Sequence, residues 1–290
     1  MASLAELPRI GYHDPLSRID WAGIDRECWW MPPSLLSLAG VAQFEALPLE
    51  TRRLLSHLEY AHLLEAGLWL ESQFMARLAR LAHRCDDVVR RARFLHELRE
   101  EAGHSLMFVE LLHRSGFGFH EGRSLRARVV EGLGRLVPSQ AALFWAMTVA
   151  GEEIPDRLNH RLRRAVEDVT LSSVVYRIAC IHMHDEAIHA AYAREQCRLT
   201  AQRCPPWQRR LLAPWLSATI NGYARYVYFP SPMTYQRAGL TPARIWRRRA
   251  LANPVRRAQA AQMLRPTLEF LRRSGWPVSR RGDPASPRNP

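Results

Sequence analysis

At 290 residues, 47% hydrophobic and 24% charged, the chain has the composition of a soluble globular protein able to bury a sizeable core. It contains no run of roughly 18 uncharged apolar residues and no basic-then-apolar leader, so a cytoplasmic location without a membrane span is expected. The net charge of +13 suggests a nucleic-acid partner, but all 41 basic residues are arginine and they are scattered, which reads as a coding bias; no nucleic-acid binding is expected.

Five cysteines (Cys28, Cys85, Cys180, Cys197, Cys204) form no Cys-x-x-Cys pair, which argues against a disulfide framework or a structural zinc site. The first 45 residues, rich in Pro, Trp and Asp, read as an irregular arm. Trp21, Trp29 and Trp30 are expected to pack it on the body.

From about Pro48 to His83, apolar residues recur at threes and fours (Leu54, Leu58, Ala61, Leu64, Leu68), a helical period. Asp86 or Asp87 is placed to cap a second helix, which runs to about Arg114 and ends at Gly116. Arg126 to Leu136 predicts a short helix. A third long helix is expected from Pro138-Ser139 towards Val166, with Pro155 bending it or disturbing its ladder. A fourth covers about Leu171 to Thr200 and stops at Pro205-Pro206. Two or three more are expected, around Gln208–Tyr226, Pro242–Leu251 and Pro254–Arg273. No alternating strand pattern occurs. The expectation is one all-α domain over residues 1–275, its bundle core at about 48–200, with 276–290 a disordered tail.

The fourth helix carries His182-Met-His-Asp-Glu186-Ala-Ile-His189. A helix turns about 100° per residue, so His182, Glu186 and His189 share a stripe roughly 60° wide beside Ile178 and Ala193. Burying three such groups costs free energy unless something pairs with them. The second helix adds Glu101-Ala-Gly-His104, so the chain has Glu-x-x-His on alternate helices, at Glu101/His104 and Glu186/His189. Four-helix bundles that hold two metal ions use this device, completed by one glutamate from each of the other two helices. The third helix offers Glu152 or Glu153, about 100° apart and unable to face the same point. The first offers Glu59, Glu65 and Glu71, of which spacing leaves Glu65 and Glu71 open. Carboxylates with imidazoles and no thiolate suit iron or manganese. A site of this kind needs six protein ligands, and His182 is a seventh.

At these residues the chain resembles the diiron arylamine oxygenases typified by p-aminobenzoate N-oxygenase. That family's fourth core helix carries His-x-x-(Asp/Glu)-Glu-x-x-His, and its second carries (Asp/Glu)-Glu-x-x-His, as in Glu100-Glu101-Ala-Gly-His104. Glu152-Glu-Ile-Pro-Asp-Arg-Leu158 matches the third-helix motif, apart from Pro155, and its register favours Glu152. The Leu-Glu-x-x-Phe pattern at Leu70–Phe74 favours Glu71.

The resemblance implies a ferritin-like four-helix bundle with a dinuclear metal site, an extra N-terminal arm and C-terminal helices. It implies Glu71, Glu101, His104, Glu152, His182, Glu186 and His189 as metal ligands, with Glu65 and Glu153 as alternatives, and Glu100, Asp185 and Glu97 behind them. It further implies two iron ions, O₂ as co-substrate and an external electron donor, acting on a small-molecule amine taken to hydroxylamine, nitroso or nitro product in biosynthesis. A homodimer is expected. Phe144, Trp145, Tyr176 and Tyr192 are candidates for the substrate pocket. The rival readings are a hydroxylase or desaturase acting on C–H bonds and a ferritin-like ferroxidase. A ferroxidase would need neither the arm, the C-terminal extension nor His182.

Overall fold

The computed structural model describes residues 14–118, 137–138, 141–165 and 170–279. Eight helices carry most of them: α1 Leu49–Arg84, α2 Val88–Ser115, α3 Ala142–Arg164, α4 Ser173–Arg203, α5 Pro206–Tyr228, α6 Pro232–Arg237, α7 Ala243–Ala252 and α8 Pro254–Arg273. There are no strands among the described residues, only an isolated bridge between Trp29 and Leu171. None of the described helices is long and apolar enough to cross a membrane. The predicted helix at 126–136 and the first 13 residues lie outside the described residues.

The long helices form two hairpins, α1 with α2 and α3 with α4, and the hairpins close on each other through α1–α3 and α2–α4 contacts. The α1–α2 link is short enough to force an antiparallel pair. Its polarity is set by Asp87, whose Oδ1 accepts the Arg90 N–H at 2.8 Å, an N-cap that satisfies one of the orphan donors of α2. Gly116, at φ 71°, ends α2 in the left-handed conformation that suits glycine. Helices α5 and α8 cover α3, and α6 lies against α1.

The arm is pinned by polar contacts as well as by apolar burial. Fully buried Trp30 donates its N–H to Ser56 Oγ at 3.0 Å. Buried Glu59 accepts from the Ser37 N–H and Oγ, and Arg256 donates to the carbonyls of Leu35 (2.6 Å) and Tyr228 (2.9 Å). These bonds tie arm, bundle and C-terminal helices into one body and satisfy charges that burial would otherwise penalise.

Two expectations are corrected. The short helix α6 is not legible in the sequence, because six residues do not display a period. The tail does not begin at residue 276: Trp276 is fully buried and Val278 nearly so, their apolar surface outweighing the polar, Arg-rich context. Residues 280–290 of that expected tail lie outside the described residues.

Helix α3 runs unbroken through Pro155. Proline has no N–H, so the Gly151 carbonyl four residues earlier lacks its helical donor, and the ring crowds that same carbonyl. Gly151 also faces α1 at close range. A Cβ there would lie 2.6 Å from Phe74 Cζ and 3.2 Å from Leu70 Cδ1. Gly151→Val is therefore expected to cost about 1–3 kcal/mol through overpacking, read as a lower urea midpoint with unchanged slope.

Candidate metal centre

The motif residues of all four long helices meet inside the bundle. Glu71, His104, His182 and Glu186 form one buried group whose potential ligand atoms lie within 4.8 Å of one another, and Glu101, Glu152, Glu186 and His189 form a second. Glu186 belongs to both. The seven residues are each at most 5% exposed.

Each helix contributes for a local reason. On α1 the face of Glu71 is the one carrying Phe74 and Leu78, so its carboxylate points where the helix buries its apolar stripe. On α2 and α4 the three-residue spacing aims both members of each Glu-x-x-His pair inward: His104 Nδ1 is 3.3 Å from Glu101 Oε2, and His189 Nδ1 is 3.6 Å from Glu186 Oε1. The pairs also interlock across helices, with His104 Nδ1 3.4 Å from Glu186 Oε1 and His189 Nδ1 3.3 Å from Glu101 Oε1.

The outer ring nitrogens are held by carboxylates. His104 Nε2 lies 3.1 Å from Asp185 Oδ2, and His189 Nε2 lies 2.9 Å from Glu100 Oε2. A carboxylate on Nε2 keeps the proton there and turns the Nδ1 lone pair towards the cluster, the usual support for a ligating histidine. Glu97 turns elsewhere. It pairs with buried Arg93 at 3.4 Å, and burial raises its carboxyl to about 7.

His182 approaches with the opposite nitrogen. Its Nε2 is 3.4 Å from Glu71 Oε1 and 3.7 Å from Glu186 Oε1, while Nδ1 is 3.3 Å from the Asn159 amide nitrogen. The two ends of such an amide are alike in shape and exchange places by a half-turn of the side chain. Turned about, Asn159 accepts Nδ1–H and leaves the Nε2 lone pair free. Sequence reasoning missed Asn159, although its place two turns beyond Glu152 on the same face of α3 was a usable signal.

The alternative glutamates are not in the cluster. Glu153 accepts from Arg194 Nε and from Thr267 Oγ1 (2.6 Å), on the α8 side of α3, as the 100° separation from Glu152 requires. Glu65 is half-buried on α1 and in neither group of potential ligands.

Four carboxylates cannot all stay ionised in such a place. Burial pushes Glu71 and Glu152 well above the ordinary carboxylate value, helped by the charges of Glu101 and Glu186 respectively. Burial acts the same way on Glu101 and Glu186, but hydrogen bonds from Glu71 and Glu152 and the nearby imidazoles outweigh it and hold both low. Burial opposes a charge on His104 and His189, yet their carboxylate partners win, raising His104 to about 9 and His189 well above its usual value. Burial dominates at His182, which falls to about 4.

Polar atoms remain unused all the same. Both Glu186 carboxylate oxygens, Glu101 Oε1 and His189 Nδ1 are buried with no well-formed hydrogen bond to any group outside the cluster. Buried orphans of that kind are rare unless a ligand takes them. Their convergence, with carboxylate and imidazole donors and no thiolate, fits a pair of hard or borderline divalent cations.

A narrow cavity of about 20 Å³ adjoins the cluster, walled by Gly67 and Leu70 of α1, Phe108 of α2, Gly151 and Pro155 of α3, and Ile178 of α4. On α1 its lining includes Tyr60, Leu63 and Leu64 as well as Glu71. Phe108 sits over His182 with ring centroids 5.4 Å apart, in space that Gly67 leaves open. The four aromatics expected to line a pocket do not line this cavity. Phe144, Trp145 and Tyr192 instead pack edge-to-face as core, at 5.0 and 5.7 Å between centroids. Half-buried Tyr176 is six residues before His182 and so about 120° round the helix.

Comparison with known proteins agrees with this geometry. The family model "P-aminobenzoate N-oxygenase AurF" matches residues 3–275. Over 237 residues, 79% of this chain and 69% of the relative, the chain is 27% identical to an uncharacterized protein of Mycobacterium tuberculosis. At the same coverage it is 26% identical to an uncharacterized protein of Mycobacterium bovis. A helical bundle with two interlocked Glu-x-x-His pairs, matched along nearly its whole length, belongs to the p-aminobenzoate N-oxygenase AurF family of the diiron ferritin-like superfamily.

Proposed function

We propose that the protein is an O₂-dependent N-oxygenase that holds two iron ions through Glu71, Glu101, His104, Glu152, His182, Glu186 and His189 and oxidises an amine at nitrogen. The observation that carries this reading is the sharing of Glu186 between two groups of buried donors, each of which includes a histidine from a Glu-x-x-His pair. Iron bound there would supply the electrons that activate O₂, replenished by an external reductant.

The chain's own part is to hold geometry and exclude water. Asp185 and Glu100 fix the tautomers and orientations of His104 and His189, and Asn159 does so for His182. Phe108, Leu70 and Ile178 keep the adjoining space apolar, which protects a reactive site from bulk water. His182 favours an oxygenase over a ferroxidase, because the bundle's six-ligand scheme is complete without it.

Metal analysis of the purified protein is expected to give two irons per chain. Anaerobic reduction followed by ¹⁸O₂ and a panel of arylamines is then expected to put the label on nitrogen. Label on carbon would support the C–H hydroxylase reading instead, and iron oxidation without any labelled product would support the ferroxidase.

A further inference from the structure

Charge is divided along the chain in a way that the arginines alone conceal. Residues 196–268 contain 13 arginines and neither Asp nor Glu. The other 28 arginines are matched by the chain's 28 acidic residues, so this one region carries the whole net charge of +13. A coding bias towards arginine would not also empty the region of carboxylates. The region runs from the end of α4 through α5, α6 and α7 into α8, and α5 packs on both α1 and α3. A surface so charged attracts an acidic macromolecule and speeds its arrival.

The outer face of α5 gives that attraction a centre. Trp207 and Leu211 are 62% and 70% exposed, and Arg210, Pro214 and Ala218 are exposed beside them. At about 100° per residue these five share a stripe roughly 100° wide. Exposed Arg198 and Arg203, at the end of α4, lie just before its first turn in the chain. Tryptophan and arginine around a small apolar centre are a composition that protein interfaces favour. A bilayer would find little to bury beyond the first turns, where the face narrows to Pro214, Ala218 and Gly222. Nucleic-acid phosphates would use the arginines but leave Leu211 in water.

The inner face of the same helix leads towards the metal centre. Tyr223 lies about 180° round α5 from Pro214, and its hydroxyl is buried without a hydrogen-bond partner. Its ring is 6.1 Å from that of Trp69, two residues before Glu71. Burial raises the phenol most, followed by the charges of nearby groups that include Glu71 and Glu152. One helix thickness, roughly 10 Å, therefore separates the exposed stripe from side chains that flank the candidate ligands.

We propose that the outer face of α5, with the arginines where α4 gives way to it, docks a small acidic one-electron donor protein. Each encounter passes one electron from the donor's reduced centre to a ferric ion, which becomes ferrous as the donor is oxidised. Two encounters reduce both ions. The proposal rests on the reading of the protein as a diiron oxygenase and adds the class of its reductant. Redox encounters of this kind are weak, small in area and sensitive to salt.

Fluorescence anisotropy of a labelled plant-type 2Fe–2S ferredoxin, titrated with the iron-loaded protein, tests it. Affinity is expected to fall at least about tenfold between about 50 and 300 mM NaCl, as screening shortens the reach of the charges. Arg203→Glu/Arg210→Glu is expected to weaken binding at least about tenfold at the lower salt. Trp207→Ala is expected to weaken it about fivefold at both salts, as loss of an apolar anchor does. All three side chains are exposed, so these variants keep the fold. Arg18→Glu/Arg114→Glu makes the same change of charge at exposed positions on the arm and α2, and should alter affinity less than about threefold.

Equal losses in the two double variants, or no ferredoxin binding at the lower salt, would overturn the proposal. So would binding of duplex DNA or anionic vesicles in its place, lost in Arg203→Glu/Arg210→Glu, which would give the face to another partner. Binding as expected with no reduction of the iron by reduced ferredoxin would overturn it as well. Anisotropy reads docking without any turnover, so docking and reaction are scored apart. Binding and reduction as expected, followed by no nitrogen oxidation on adding O₂ and amine, would remove the N-oxygenase reading and leave the docking face standing.

Discussion

Glu186→Gln is expected to weaken metal binding in both halves of the centre, so that after dialysis against metal-free buffer the chain retains fewer than one iron in place of two. The reason is its position in both donor groups, where each of its oxygens is buried without another partner. Removing even an outer-shell support of a metal site typically costs 10- to 100-fold in affinity, so a ligand shared by two ions should cost at least about 100-fold. Metal at about 1,000 times its dissociation constant stabilises the folded state by about 4 kcal/mol. A 100-fold loss leaves only about 1.4 kcal/mol by the same relation, so the melting temperature of the variant should rise with added metal by only about a third as much as the parent's. Glu71→Gln should weaken chiefly one ion, because Glu71 appears in one group alone. Glu153→Gln should keep both ions, since its carboxylate is engaged by Arg194 and Thr267. Metal content by mass spectrometry, with calorimetric titration of each variant, checks all three. A Glu186→Gln protein that still carries two irons would remove the assignment of the shared ligand.

The long helices were legible because each displays several turns of apolar period and ends at a residue with one clear role, such as Asp87 or Gly116. Glu101, His104, Glu186 and His189 were legible for the same reason: a three-residue spacing on a helix fixes a shared face whatever surrounds it. Glu71 and Glu65 were not separable by spacing. Which of them meets the partner helices depends on how far α1 slides against α2, a property of interhelical packing rather than of either helix alone. The aromatic pocket candidates lie away from the cavity for a different reason. Phe144, Trp145 and Tyr192 are large and periodic, but a large aromatic fills space, and the open space lies where the chain has glycine. Gly67 and Gly151, each in mid-helix where glycine weakens the helix, were the better signal. Pro155 looked like a flaw in a motif. In the folded chain it leaves α3 intact and lies in the wall of the cavity.

Loading the metal-free protein with two divalent cations at pH 7 is expected to release about four protons per chain, by the linkage between metal binding and ligand deprotonation. The groups that would give them up are Glu71 and Glu152, whose carboxyls burial pushes well above their ordinary value, and His104 and His189, which their carboxylate partners raise against burial. Glu101 and Glu186 are held low and are already ionised, and His182, at about 4, is already neutral, so these three contribute none. The sign follows from the direction of the shifts. Lowering the pH strengthens the protons that compete for the ligands, so affinity falls with falling pH. By linkage, four protons displaced means a change of about 10⁴ per pH unit in the binding constant for the two cations together. The dependence should ease above about pH 9, where His104 has lost its proton before metal arrives. A weakly buffered titration with a pH indicator counts the protons directly, and a release of one or none would show that the donors are ionised differently. Four protons leave and two doubly charged ions enter, so the charge inside the bundle is the same before and after. The helices can therefore hold one arrangement, empty or loaded, without relying on distant groups such as Arg93 and Glu97 to balance the site.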